Sequence, residues 1–187
     1  STSYSYPDPD WKLGVVKVGP GGPDPVARVL TFTTPPLEED IVVAGPATLD
    51  LWLSTTAPDA DVIVKVSDQA PASAGQPPSQ IVARGWLRLS HREEDPERSR
   101  PHRPFYKHAG PSPVEAGEIY RVAVEIFSFA HRFPKGHRIR LEIVNGDSAL
   151  TDSLFTHQYA WWKVGADTVH HDADHPSRLR LSVVEDT

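Results

Sequence analysis

A serine nucleophile needs an imidazole within hydrogen-bond reach, a carboxylate to orient that imidazole, and donors for the oxyanion. Gly146-Asp147-Ser148, directly after an alternating run that ends at Asn145, supplies a serine, and Asp172 and His175 supply an acid and a base three residues apart. The same C-terminal stretch, His170-His171-Asp172-Ala173-Asp174-His175, holds three imidazoles and two carboxylates, the donor types of a zinc-like site. A third constellation is aromatic: Phe155, Tyr159, Trp161 and Trp162. Rings grouped this way either stack on a flat ligand face, such as a sugar ring, or lie under another domain.

Context limits the first two. Position 149 is Ala and Leu comes only at 150, so the Gly-Asp-Ser-Leu motif of one group of lipases is incomplete. It lies late in the chain, and no strand-turn-helix unit follows to hold the serine on an elbow. Gly110-Pro111-Ser112-Pro113-Val114 ends in Val, so no Gly-x-Ser-x-Gly occurs either. Gly146 to Ser148 reads instead as a polar turn leaving a strand. Adjacent strand residues face opposite ways, so His170 and His171 cannot chelate together unless the strand breaks there, and the stretch reads as a strand end running into a turn that Pro176 helps shape. No catalytic, cofactor-binding or metal-binding residue is assigned, and no cofactor is expected. Phe155, Tyr159, Trp161 and Trp162 are assigned to a domain interface first and to a ligand platform second, with Trp11 a further sugar-stacking candidate. His137, after Gly136 at a strand start, reads as a hydrogen-bonded structural residue.

Any of these groups must be positioned by strands. Pro occurs 19 times, about twice the usual 5%, and leaves few windows of helical length uninterrupted. Period-two alternation recurs instead. Leu49, Leu51 and Leu53 share one face of Thr48–Ser54, opposite Thr48, Asp50, Trp52 and Ser54. Val62, Val64 and Val66 repeat the pattern, as do Tyr120 to Ile126, Ile139 to Ile143 and Leu179 to Val183. With Leu13 to Val18, Val29 to Thr33, Ile41 to Val43 and Ile81 to Leu89, about nine strands are expected. One-sided alternation without helical crossovers predicts an all-β, antiparallel β-sandwich of jelly-roll type. Ala70 to Ser79 and Arg92 to Pro113 read as long surface loops, the second pinned to the sandwich by Phe105 and Tyr106.

A formal net charge of −6 with no Lys/Arg-rich block excludes nucleic acid as the expected partner. Zero cysteines exclude disulfides and thiolate metal sites. Apolar runs fall well short of the roughly 20 residues that cross a bilayer, so no membrane partner is expected. The chain has no methionine, and Ser1-Thr2-Ser3-Tyr4 is no signal peptide. A fragment or processed product of a longer protein is expected, the cytoplasm is the favoured compartment, and homo-oligomerisation stays open.

Several stretches resemble one family. Leu37-Glu38-Glu39-Asp40 with Gly45-Pro46, Leu49 to Ser54 and Ala57-Pro58-Asp59-Ala60-Asp61 looks like the opening of the C-terminal domain of X-prolyl dipeptidyl aminopeptidases and cocaine esterase-like acyl esterases. Gly117-Glu118-Ile119-Tyr120 leading to Phe133-Pro134-Lys135-Gly136-His137-Arg138-Ile139-Arg140-Leu141 is the most specific piece, and His171-Asp172 with His175-Pro176-Ser177-Arg178-Leu179 resembles the final turn and strand. The resemblance implies a galactose-binding-domain-like jelly roll over residues 26–187, with residues 1–25 a linker or extension from a catalytic region. It implies a non-catalytic accessory domain whose partner is the α/β-hydrolase domain of the same parent, carrying the whole Ser-Asp-His triad. The loops 92–113 and 148–163 depart from the better-known esterases. The rival function is an autonomous carbohydrate-binding module.

Overall fold

The computed structural model describes residues 1–6, 30–71, 79–100, 102–144 and 161–184. Among these residues there are nine strands, two single 3-10 turns and no α-helix. The strands are β1 (Thr2–Tyr6), β2 (Leu30–Thr33), β3 (Ile41–Thr55), β4 (Asp61–Gln69), β5 (Ser79–Arg88), β6 (Tyr120–Phe133), β7 (Arg138–Val144), β8 (Gly165–His170) and β9 (Arg178–Val183). Every pairing is antiparallel.

The strands form two layers. One runs β1-β8-β3-β6, with β9 sharing the β8 edge of β3, and the other runs β5-β4-β7-β2. Among the described residues the layers are joined by one residue pair, Gly85 with Ile126. Their far strands, β1 and β2, also lie in contact. The inward faces are those the alternation marks: Leu49, Leu51 and Leu53 of β3 and Val122, Val124 and Ile126 of β6 meet Val62, Val64 and Val66 of β4 and Ile139, Leu141 and Ile143 of β7 in one buried cluster. Each such side chain contributes about 1.5–3 kcal/mol on full burial.

Three strands differ from the sequence reading. Ile41–Val43 and Thr48–Ser54 are not separate strands but one, because a bulge between Gly45 and Ala47 absorbs Pro46. Gly45 takes φ +135°, and the Pro46 carbonyl, lacking a ladder role, accepts from Ser182 Oγ at 2.7 Å. Residues 2–6 fall in the stretch read as linker, yet they pair along β8 from Thr2–Val169 to Tyr6–Gly165. Finally, β4 is buried on both faces, Asp61, Ile63, Lys65 and Ser67 as well as the valines. Leu13 to Val18, Trp11 and most of the loop 70–79 lie outside the described residues.

The charged loop 92–113 folds back onto the outer face of β3. Thr48 Oγ1 donates to the His102 carbonyl at 2.7 Å, and the Arg92 guanidinium donates to the Leu89 carbonyl at 3.1 Å and the Pro113 carbonyl at 2.8 Å, tying both loop ends together. Of the two aromatics expected to pin it, Tyr106 joins the core cluster, whereas Phe105 stays partly exposed under the Arg98 guanidinium.

Candidate functional site

Of Ser148, Asp172 and His175, the trio weighed and set aside on sequence, Asp172 and His175 are among the described residues. Ser148 lies outside the described residues. His175 Nδ1 bonds Asp172 Oδ1 at 3.0 Å, which also accepts from the His175 and Asp174 backbone N–H groups. That is an Asx-type turn, with the His175 ring edge-on to Trp52 at 5.1 Å. Among the described residues, a serine in reach of an imidazole is Ser54, whose Oγ lies 2.9 Å from His170 Nε2 across the β3–β8 pair. Burial and the neighbouring His175 lower the His170 pKa, so the ring is neutral at pH 7. Asp172, the carboxylate whose charge reaches His170, is hydrogen-bonded to His175 instead. Both Ser54 and His170 lie flat on strands, so the pair is a cross-strand bond without the elbow an acyl transfer needs.

His170 and His171 face apart, as strand alternation requires. His171 Nε2 bonds Thr2 Oγ1 at 3.0 Å and its ring packs edge-on to Phe32, on the side away from Ser54. No group of three or more metal-ligating side chains gathers among the described residues. His137 is held as a structural residue: Nδ1 bonds Asp68 Oδ1 at 2.8 Å, while Asp68 Oδ2 takes His131 Nε2 at 2.9 Å. One buried carboxylate thereby ties the end of β4 to β6 and to the turn entering β7. Asp68→Ala is expected to lower stability by about 2 kcal/mol, the scale of hydrogen bonds to a charged group. A thermal midpoint unchanged from wild type would show that the tie carries no load.

Of the aromatic constellation, Trp161 and Trp162 are described, and both reach the surface. Trp161–Lys163 is a 3-10 turn ahead of β8. Trp161 is 71% exposed and Trp162 36%, with ring centroids 5.9 Å apart at 86°. Phe155 and Tyr159 lie outside the described residues. The turn is anchored from below. Lys163, 2% exposed, places Nζ 2.7 Å from Asp61 Oδ2, and Arg88 Nε donates to Asp61 Oδ1 at 2.8 Å. Burial alone would raise the Asp61 pKa, but the two cations more than offset it and hold the carboxyl below its ordinary value. On the exit side Gly165 packs directly on the backbone: a Cβ there would meet Thr56 Oγ1 at 2.7 Å and Ala57 N at 2.9 Å. Buried charge and a close backbone approach thus fix two indoles facing outward. Sequence reasoning found the indoles but missed their anchor, because Asp61 is 102 residues away and reads as an ordinary outward-facing strand residue.

The family model for the X-Pro dipeptidyl-peptidase C-terminal non-catalytic domain matches residues 13–180. The chain belongs to this family. Its relatives include the cocaine esterase of a Rhodococcus species, 24% identical over 84% of this chain and 26% of that protein. A Mycobacterium tuberculosis protein named as a serine esterase is 28% identical over 85% of this chain and 24% of its own length. The domain therefore spans about a quarter of the relatives it matches. Among solved structures, a CocE/NonD family hydrolase from Staphylococcus aureus superposes with a TM-score of 0.72 at 22% identity, covering 83% of this chain and 30% of that one. An α-amino acid ester hydrolase gives 0.66 at 22% identity over 83% of this chain and 25% of its own. These two establish the shared fold, in which the domain is an all-β sandwich.

Proposed function

We propose that this domain is the non-catalytic accessory part of a serine α/β-hydrolase, of acyl esterase or X-Pro dipeptidyl-peptidase type, and that it packs on the catalytic domain and helps wall the active-site entrance. The observation that carries the reading is the family membership of a chain matching a quarter of each named esterase. The docking surface is assigned to Trp161 and Trp162, because a 71%-exposed tryptophan on a rigidly anchored turn is the kind of group an interface core covers.

Three measurements test it. The reading frame upstream of Ser1 should encode an α/β-hydrolase with a Gly-x-Ser-x-Gly elbow, and a frame without one overturns the parentage. The chain alone should not turn over a p-nitrophenyl ester, whereas turnover abolished by Ser148→Ala would make it an enzyme. Trp161→Ala and Trp162→Ala should shift the thermal midpoint little yet weaken association with the hydrolase domain tenfold or more, as interface tryptophans do. Undiminished association would move the interface elsewhere. The rival reading, a carbohydrate-binding module seated on these two indoles, fits less well, since rings at 86° offer no common flat platform.

A further inference from the structure

Where the 92–113 loop folds over the outer face of β3 it leaves a cavity of about 420 Å³ beneath it. That is within the roughly 300–1,000 Å³ of small-ligand sites. Asp50 of β3, Arg121 of β6 and Arg180 of β9 stand on the strand side, and Glu94, Arg100 and His102 on the loop side. The loop side is held in place. Arg100 and Arg103 exchange both backbone hydrogen bonds, at 3.0 and 2.9 Å, around a tip where His102 takes φ +62°. Thr48 Oγ1 grips the His102 carbonyl from the sheet. A cavity whose walls are fixed before a ligand arrives loses little freedom on binding.

The charges around the cavity select a chemistry. Arg180 Nε donates to Asp50 Oδ2 at 2.7 Å, and these two groups neutralise each other. Arg121 lies 4.0 Å from the same oxygen, beyond hydrogen-bond reach, with its side chain 62% exposed. The Arg100 Nη1 donates to the Glu97 and Ser99 carbonyls at 2.8 Å, which positions the guanidinium and leaves its Nε and Nη2 open. Glu94 accepts only a long bond from Ser99 Oγ at 3.4 Å, and among the described residues no cation is in ion-pair reach of it. Two guanidiniums and one carboxylate thus face a common cavity without charged partners hydrogen-bonded to them. A simple anion would be opposed by Glu94, and a simple cation by Arg100 and Arg121. A molecule that carries both charges meets each wall with its opposite.

We propose that this cavity binds a zwitterion, a free α-amino acid or a short peptide with both termini unblocked, its carboxylate on Arg100 and Arg121 and its ammonium on Glu94. The site shares no residue with the Trp161–Trp162 turn, so its failure would leave the accessory role untouched. The test is calorimetric and NMR titration of the chain with glycine, diglycine and triglycine, whose terminal charges separate by roughly 3.5 Å more with each residue. Saturable binding in the millimolar range or tighter is expected for at least one. Tightest binding of glycine assigns the site to a free amino acid, and of a longer member to a peptide. N-acetylation of that ligand should weaken it about tenfold in the wild type and change little in Glu94→Gln, whereas Arg121→Gln should weaken the free and acetylated forms alike. Glu94 and Arg121 are both exposed, so circular dichroism and the thermal midpoint of each variant should match wild type. No saturable binding across the series overturns the proposal. So does acetylation that costs nothing in the wild type, which would make the cavity a plain anion site, or binding that survives the double variant, which would place it elsewhere.

Discussion

Gly85→Ala is expected to destabilise the domain by about 3 kcal/mol or more, the upper end of what overpacking costs. A Cβ at this position would stand 2.2 Å from the Glu125 carbonyl oxygen, 3.0 Å from its carbonyl carbon and 3.1 Å from Ile126 Cα. All three are backbone atoms of β6, so no side-chain rotation relieves the clash. The strand must move, and β5 meets β6 through this one pair among the described residues. Separation there opens the seam between the layers and lets water toward Val124, Ile126, Ala83 and Leu87, which are buried on its inner side. For a domain of this size each kcal/mol shifts the thermal midpoint by roughly 2–4 °C, so a fall of about 6–12 °C is expected. A midpoint within about 2 °C of wild type would mean that the seam accommodates a methyl group and that the layers are not held by close backbone approach.

The second large effect belongs to the buried charges beneath the indole turn. Asp61→Ala removes the carboxylate that both Lys163 and Arg88 engage. The Arg88 side chain is 41% exposed and can turn to water, but Lys163 at 2% cannot without carrying the Trp161–Lys163 turn with it. Breaking a buried pair on one side costs about 3–5 kcal/mol. Lys163→Met should cost less, because Arg88 continues to hold Asp61, and the double variant Asp61→Leu with Lys163→Met should recover part of the loss. Chemical denaturation orders the three, and Lys163→Met costing as much as Asp61→Ala would show that the carboxylate is not the hub. The indole fluorescence of Trp161 and Trp162 should move with Asp61→Ala if the turn is released.

The same carboxylate predicts an acid dependence. The folded pKa of Asp61 lies below its ordinary value, so the unfolded chain binds this proton more readily than the folded one. The stability it contributes is complete above the unfolded value of about 3.9 and is lost as pH falls through the lower folded value. Asp61→Asn should flatten the stability profile in that acid window while lowering it at neutral pH. An unchanged acid limb would exclude Asp61 as a contributor.

By itself the amino-acid sequence determined where the inner faces lie. Leu49, Leu51 and Leu53, or Val62, Val64 and Val66, alternate with polar residues because a pleated strand turns successive side chains to opposite sides, and all six are buried as that geometry requires. It also carried the family resemblance, in runs such as Phe133 to Leu141, and the separation of His170 from His171. Tertiary structure decided what happens on the outer faces. Alternation marks Asp61 and Lys65 as solvent-facing, yet both are buried, since partners such as Lys163 arrive from far along the chain and local periodicity carries no record of them. The strand formed by residues 2–6 depends on β8 some 160 residues later, and its short Ser/Tyr pattern says nothing of that partner. The close contact of the two layers at Gly85 is set by the meeting of two backbones that neither strand's own residues announce.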